Sequence, residues 1–209
     1  MSNKSKCLRP ALALAICLTS LNIVPALAGG DREYEIARNL FGTGDYAEAA
    51  QNLQIAVEKG HSAARLPLAA MYRDGTGVDK DLKKALALFT VSANEGYPSA
   101  QFTLGAMYRA GEGGSVNYPL AKKWFLAAAR QGDEGSQNNL GTMHEAGRGV
   151  QPSFVTALMW YEIAKANGSE RAGHNHKRLK RKLTADQLTQ VKQLVNTCLR
   201  TRYRTCGET

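Results

Sequence analysis

His144-Glu145 opens the pattern H-E-x-x-H. In that pattern two histidines one helical turn apart share a zinc ion, and the glutamate beside the first acts as general base. Here the fifth position is Arg148, so the second ligand is missing. His174 and His176 flank Asn175. An H-x-H pair holds a metal only weakly, and neither neighbourhood offers a cysteine or a cluster of acids. No metal site is expected. A serine nucleophile would call for G-x-S-x-G or S-x-x-K, and the chain contains neither. Three glycine loops, MYRDGTGV at 71–78, MYRAGEGG at 107–114 and MHEAGRGV at 143–150, precede helical stretches. None is followed by G-K-[ST], so a phosphate cradle is not expected. No cofactor is expected.

Two cysteines, Cys198 and Cys206, lie near the C-terminus, and Cys7 and Cys17 near the N-terminus. Their chemistry depends on the compartment. Lys4, Lys6 and Arg9 precede an apolar stretch from Ala11 to Val24, then Pro25 and the A-x-A site Ala26-Leu27-Ala28. This reads as a secretory signal peptide over 1–28. The apolar run is shorter than the ~20 residues of a spanning helix, so no transmembrane anchor is expected. Ile16 before Cys17 argues against a lipoprotein signal. The mature chain should start at about Gly29 and reside in the periplasm or outside the cell. Only Cys198 and Cys206 then remain. In an oxidising compartment such a pair points to one disulfide closing a short loop, with two free thiols or an inter-chain bond as alternatives.

The loops recur every 36 residues, and so does much else. Gly60, Gly96, Gly132 and Gly168 keep the interval, as do Ala49, Ala85, Ala121 and Ala157. Leu53, Phe89, Phe125 and Tyr161 keep it with one large side chain each. A period of this length marks a solenoid or array. Each unit reads as two helices. In the unit ending at Gly132, the first runs from about Pro98 to Arg109, with Pro98 at a start position and Ala100, Leu104 and Tyr108 on one face. Asn117, like Asp81 and Ser153 in its neighbours, is an N-cap type. The second helix carries Ala121, Trp124, Phe125 and Ala128 at i, i+3, i+4, i+7, and Gly132 ends it. Gly75, Gly111 and Gly147 form one ring of equivalent positions, and Gly77, Gly113 and Gly149 another. The loop is therefore a structural joint reversing the chain between antiparallel helices. Trp124 and Trp160 occupy equivalent places and read as core. Pro67 should bend the first helix of its unit. Gly114 and Ser115 should change the packing of their loop, and His144 stands where Tyr72 and Tyr108 stand.

Ala100-Leu104-Gly105-Met107-Tyr108-Gly111-Gly113, then Ala121-Phe125-Ala128-Gly132, resembles the Sel1-like repeat family, a relative of the tetratricopeptide repeat. The resemblance covers most of the mature chain. Residues 61–169 hold three such repeats. Residues 29–60 resemble a shortened opening repeat with a tight TGDY turn, nearer the tetratricopeptide form. Residues 170–209 read as a basic cap. There Ala172 begins one more helix, and Thr184 with Gln187 starts another whose stripe is Leu188, Val191, Leu194, Val195, Cys198 and Leu199. The expected fold is an all-α solenoid of antiparallel helix pairs with a C-terminal capping helix.

By resemblance to tetratricopeptide repeats, the first helices line a concave groove. Its positions would be Ala63, Leu66, Ala70 and Arg73, then Ser99, Phe102, Ala106 and Arg109, then Gly135, Asn138, Thr142 and Glu145. Within these, Phe102 is the expected apolar anchor. Arg73 and Arg109 are expected to meet carboxylates or carbonyls, and Asn138 to bond backbone. The function this implies is a protein–protein scaffold or adaptor in the bacterial envelope, acting as a monomer on an unidentified envelope or secreted protein. Some cysteine-rich relatives have been described as penicillin-binding or β-lactamase proteins. The repeats here contain no cysteine, so a cell-wall or β-lactam hydrolase is the alternative and enzymatic activity is not expected.

Charge supplies a further alternative. The chain carries +9, of which +3 lies in residues 1–28. Residues 170–209 hold ten Lys/Arg against three Asp/Glu, or +7, which leaves the repeats near −1. A basic end attracts anionic polymer, although such a run also serves as a plain solvated face. The basic segment has no aromatic platform, which argues against nucleic acid as the partner.

Overall fold

A computed structural model of the chain describes residues 29–206. The leader read at 1–28 lies outside the described residues. Among those described there are ten α-helices and no strand. They pair in chain order: α1 (Asp31–Thr43) with α2 (Tyr46–Glu58), α3 (Arg65–Asp74) with α4 (Leu82–Asn94), α5 (Pro98–Ala110) with α6 (Tyr118–Ala129), and α7 (Glu134–Ala146) with α8 (Phe154–Ala166). Each second helix also packs on the first helix of the next pair, so the pairs stack into the all-α solenoid. α9 (Glu170–Lys180) and α10 (Ala185–Arg200) close the C-terminal end.

The glycine loops are joints in two senses. Gly75, Gly111 and Gly147 end α3, α5 and α7 in the left-handed conformation, each N–H donating to the carbonyl of Met71, Met107 or Met143. The second glycine of each loop packs on the preceding repeat. A Cβ at Gly77 would lie 2.3 Å from the Tyr46 carbonyl, one at Gly113 2.9 Å from that of Leu82, and one at Gly149 2.5 Å from the Tyr118 Cβ. Tyr46, Leu82 and Tyr118 are themselves 36 apart and begin the second helices. The loop thus reverses the chain within one repeat and seats it on the last. The far side of each loop ends at an N-cap. Asp81, Asn117 and Ser153 accept from backbone N–H groups of the helices they begin. Their own N–H groups donate to the carbonyls of Tyr72, Tyr108 and His144.

Leu53, Phe89, Phe125 and Tyr161 are all buried, one per repeat. Burying such a side chain stabilises by about 1.5–3 kcal/mol. Space for Phe125 and Tyr161 comes from glycine on the facing first helix. Gly105 lies against Phe125 and Gly141 against Tyr161, and a Cβ at Gly141 would fall 2.5 Å from the Tyr161 ring.

Pro67 does not bend its helix. It occupies the first turn of α3, where no α-helical N–H bond is lost, and a 3-10 turn at Ser62–Ala64 precedes it. The α-helix therefore starts three residues later than α5 does in its own repeat. At Gly114 the loop keeps its length and both caps, and loses a packing side chain. Val78 and Val150 at the equivalent positions are part-buried in the core, whereas Gly114 has nothing to bury and nearby Val116 is exposed.

α9 takes the register of a fifth first helix, with Ala172 and Leu179 buried. α10 begins at the Thr184–Gln187 capping box but does not form a hairpin with α9. It packs on α8, as α9 does. The sulfurs of Cys198 and Cys206 are joined across a Cα–Cα distance of 5.0 Å, within the range a disulfide spans. Both cysteines are buried against the last repeat.

Candidate binding surface on the first helices

The groove positions are set by two constraints. The caps and loops fix each first helix in register, and Leu68, Leu104 and Leu140 anchor one face in the core. The other face carries Leu66, Ala70, Phe102, Ala106 and Thr142, all half-buried, with Ala63, Ser99 and Arg109 exposed. The middle of this side is a small-residue, mildly apolar floor spanning α3 and α5.

Phe102 is held from beneath. Its ring centroid lies 6.1 Å from that of Phe125. It also leans on Gly135, where a Cβ would meet the ring at 2.9 Å. It therefore stays half-exposed in the seam between α5 and α7. The Arg73 guanidinium forks onto the carboxylate of Asp74, at 2.8 and 2.9 Å. That hydrogen-bonded pairing raises the Arg73 pKa and lowers that of Asp74. Asp74 is exposed and Arg73 half-buried at the surface, and such a pair contributes little stability, so Arg73 can exchange it for another carboxylate. Arg109 stands exposed at the end of α5.

Asn138 is placed differently from the expectation. It is only 5% exposed, and its Oδ1 accepts from Asn175 of α9 at 3.0 Å. Glu145 is taken in the same way. Arg178 of α9 forks onto it at 2.6 and 2.7 Å, and the Tyr161 hydroxyl donates to it at 2.9 Å. The Arg178 bonds, with Tyr161 behind them, hold the Glu145 carboxyl below the usual carboxylate range. Burial, then the bond to Glu145, pushes the Tyr161 phenol up. α9 therefore covers the last part of the first-helix side, and the open surface consists of α3 and α5. The signal missed in the sequence was the pair of offsets from Asn138 to Asn175 and from Glu145 to Arg178, 37 and 33 residues.

A second set of polar residues also escaped the sequence reading. Gln131 donates to Gln101 and Asn167 to Gln137, each joining the end of a second helix to a first helix 30 residues back. Arg65 and Glu95 hold the same register as an ion pair. Gln101 and Gln137 further donate to the carbonyls of Ala93 and Ala129, which satisfies buried groups at each repeat boundary. A fixed 30-residue offset repeating every 36 was the legible trace.

His144 is buried beside Lys122, and burial first, then Lys122, lowers its pKa. His176 lies 3.7 Å from Glu162. Among the described residues no three His, Cys, Asp or Glu side chains are grouped to hold a metal, and no helix is long and apolar enough to cross a membrane. Trp160 is fully buried and Trp124 nearly so. At the basic end, Lys165, His174, Lys177, Lys180 and Arg181 with Glu170 line an open cleft of about 930 Å³.

The Sel1 repeat family model matches residues 33–61, 63–97, 98–133 and 135–169. The opening segment is thus matched as a Sel1 repeat alongside the other three. A protective antigen with an SLR fold from uropathogenic Escherichia coli is 30% identical with a TM-score of 0.66, over 69% of this chain and 32% of that one. A Sel1 repeat protein from Oxalobacter formigenes is 29% identical with a TM-score of 0.62, over 68% of this chain and 59% of its own. This chain thus spans less than two thirds of the length of either. No curated protein matches. Four helix pairs, the last three joined by the same glycine loop in one 36-residue register, and a family model matched over more than half the sequence show that the chain belongs to the Sel1 repeat family.

Proposed function

We propose that the chain is an exported adaptor of the bacterial envelope that holds a partner protein on the first helices of its second and third repeats. The observation that carries this is the open floor of Leu66, Ala70, Phe102 and Ala106 between Arg73 and Arg109, on a side that α9 covers only farther along. The floor offers an apolar anchor at Phe102, and the arginines suit carboxylates or chain carbonyls. Asn138 and Glu145 hold α9 and are not counted among the contacts. The periplasm or the exterior is the proposed compartment, consistent with the leader read at 1–28 and the Cys198–Cys206 pair.

The test is affinity capture. Oxidised protein spanning 29–209 is immobilised, and envelope extract is passed over it at physiological salt. A retained protein should be lost when Arg73→Glu and Arg109→Glu are combined. Retention of every captured protein by that variant overturns the groove reading. Fractionation of cells for the processed chain checks the compartment.

The cleft at the basic end supports a second reading, retention of anionic polymer by Lys165, Lys177, Lys180 and Arg181. Exposed charges are screened over ~10 Å at moderate salt. Binding there should fall steeply with salt, whereas binding anchored at Phe102, with only Arg73 and Arg109 beside it, should fall less. Turnover of a chromogenic β-lactam by native protein, absent after denaturation, would instead favour the hydrolase alternative.

A further inference from the structure

The four second helices repeat one face, and only the last is fully covered. On α8 that face is Thr156, Met159, Trp160 and Ile163, and all four are buried, Ile163 to 1% exposure. The same register on α4, 72 residues earlier, is Lys84, Ala87, Leu88 and Val91. Lys84 and Ala87 are exposed, Leu88 is half-buried, and Val91 is 44% exposed. The neighbours of the two helices explain the difference. α8 is flanked by α7 and α9 as α4 is flanked by α3 and α5. α8 has one neighbour more, α10, whose Val191, Leu194, Val195 and Cys198 join the apolar cluster around Met159, Trp160 and Ile163.

The vacant counterpart has a shape. Between α2, α3 and α4 lies a recess of about 330 Å³ with an apolar wall of Val57, Leu68, Tyr72, Ala87 and Leu88, and with Gln54, Glu58 and Lys84 as its polar lining. In the C-terminal repeat the positions matching Tyr72 and Lys84 are His144 and Thr156. Gln190 and Leu194 of α10 line the same small cavity as these two. Ile55 of α2, 42% exposed, extends the apolar surface beside the recess. On α6 the same register is filled by Trp124, 7% exposed, with Ala127 small and part-buried, whereas on α4 Lys84 lies over the Tyr72 ring at 5.1 Å and Val91 beyond it stays exposed.

We propose that the face of α4 at 84, 87, 88 and 91, with the recess beside it, docks an amphipathic helix of a protein partner as α8 docks α10. The partner helix presents an aliphatic stripe at i, i+3, i+4, i+7 and an acidic group toward Lys83 and Lys84. An apolar helix face is stable in water only when another element covers it, and this chain shows the cover that fits the register. The surface is distinct from the groove of Leu66 and Phe102, so the Arg73→Glu/Arg109→Glu pair leaves it intact and the two readings fail separately.

The probe is a synthetic peptide copying residues 184–200 with Cys198→Ser and with Gln190→Glu, which places the acid at the position that faces Thr156 in α8 and so Lys84 in α4, titrated into isotope-labelled oxidised protein. Saturable amide shifts are expected at Tyr72, at 84–91 and around Ile55. Val91→Lys and Ala87→Lys, both at exposed positions, should weaken binding at least tenfold with an unchanged melting temperature. The proposal is overturned if no saturable shift appears up to millimolar peptide. Shifts confined to Met159 and Ile163, which report exchange with α10 itself, overturn it as well. So does binding that survives Val91→Lys.

Discussion

Gly141 shows what a single missing side chain does for this fold. Its Cα faces the ring of Tyr161, which is fully buried and tied through its hydroxyl to Glu145. An added methyl must push either that ring or a helix backbone. Gly141→Ala should therefore destabilise by about 1–3 kcal/mol, read as a lowered midpoint in urea. Gly105→Ala meets Phe125, a ring with no polar tether, and should cost less. Ala69 already stands opposite Phe89 in the same register, so the joint tolerates a methyl where the ring can shift. Glu145 makes a second prediction at this scale. Arg178, and then Tyr161, hold its pKa below the ordinary glutamate value. The stability this supplies is present above that value and is lost as pH falls through the lower, folded one. Glu145→Gln should lower the melting temperature at neutral pH, and the gap to the parent should close well below pH ~4.3. The aromatic ring of the repeats was legible because one large residue recurs at a fixed interval. The Gln101–Gln131 and Gln137–Asn167 pairs left only a repeating 30-residue offset, which does not say whether a polar side chain meets a neighbour or water.

Among the elements, the loops and caps followed closely from residue type. A glycine just past a helix, or an Asp, Asn or Ser just before one, acts through bonds a few residues long. Pro67 shows where that locality misleads. The helix moved its start rather than bending, because the first turn has spare N–H groups. α10 is the larger surprise. Its stripe was plain, but α8 rather than α9 receives it. The tail is held by Cys198–Cys206, separated by eight residues. Closing so short a loop is worth about 2–3 kcal/mol. Reduction, or Cys206→Ser, should free residues 201–206, speed amide exchange in the last turn of α10 and lower the melting temperature. Alkylation of both thiols only after reduction checks the pairing itself.

Taken whole, the molecule is a row of units in which each contacts its neighbours, so stability accumulates along it and its ends need cover. The C-terminal end is the apolar one. Ending the chain after Ser169 would strip α9 and α10 from Met159, Trp160 and Ile163, all buried in the intact protein. Such a truncation should associate or precipitate, and light scattering after size exclusion would show a mass above one chain. Periodicity alone determined the number of repeats, their two-helix content and the joints between them, because these depend on spacing within one unit and on contacts with the next. Only the tertiary structure decided that Asn138 and Glu145 belong to α9, and that the α8 face is covered while the α4 face is open. An amphipathic stripe states that a helix must be buried, but which surface receives it depends on where the remaining helices come to lie.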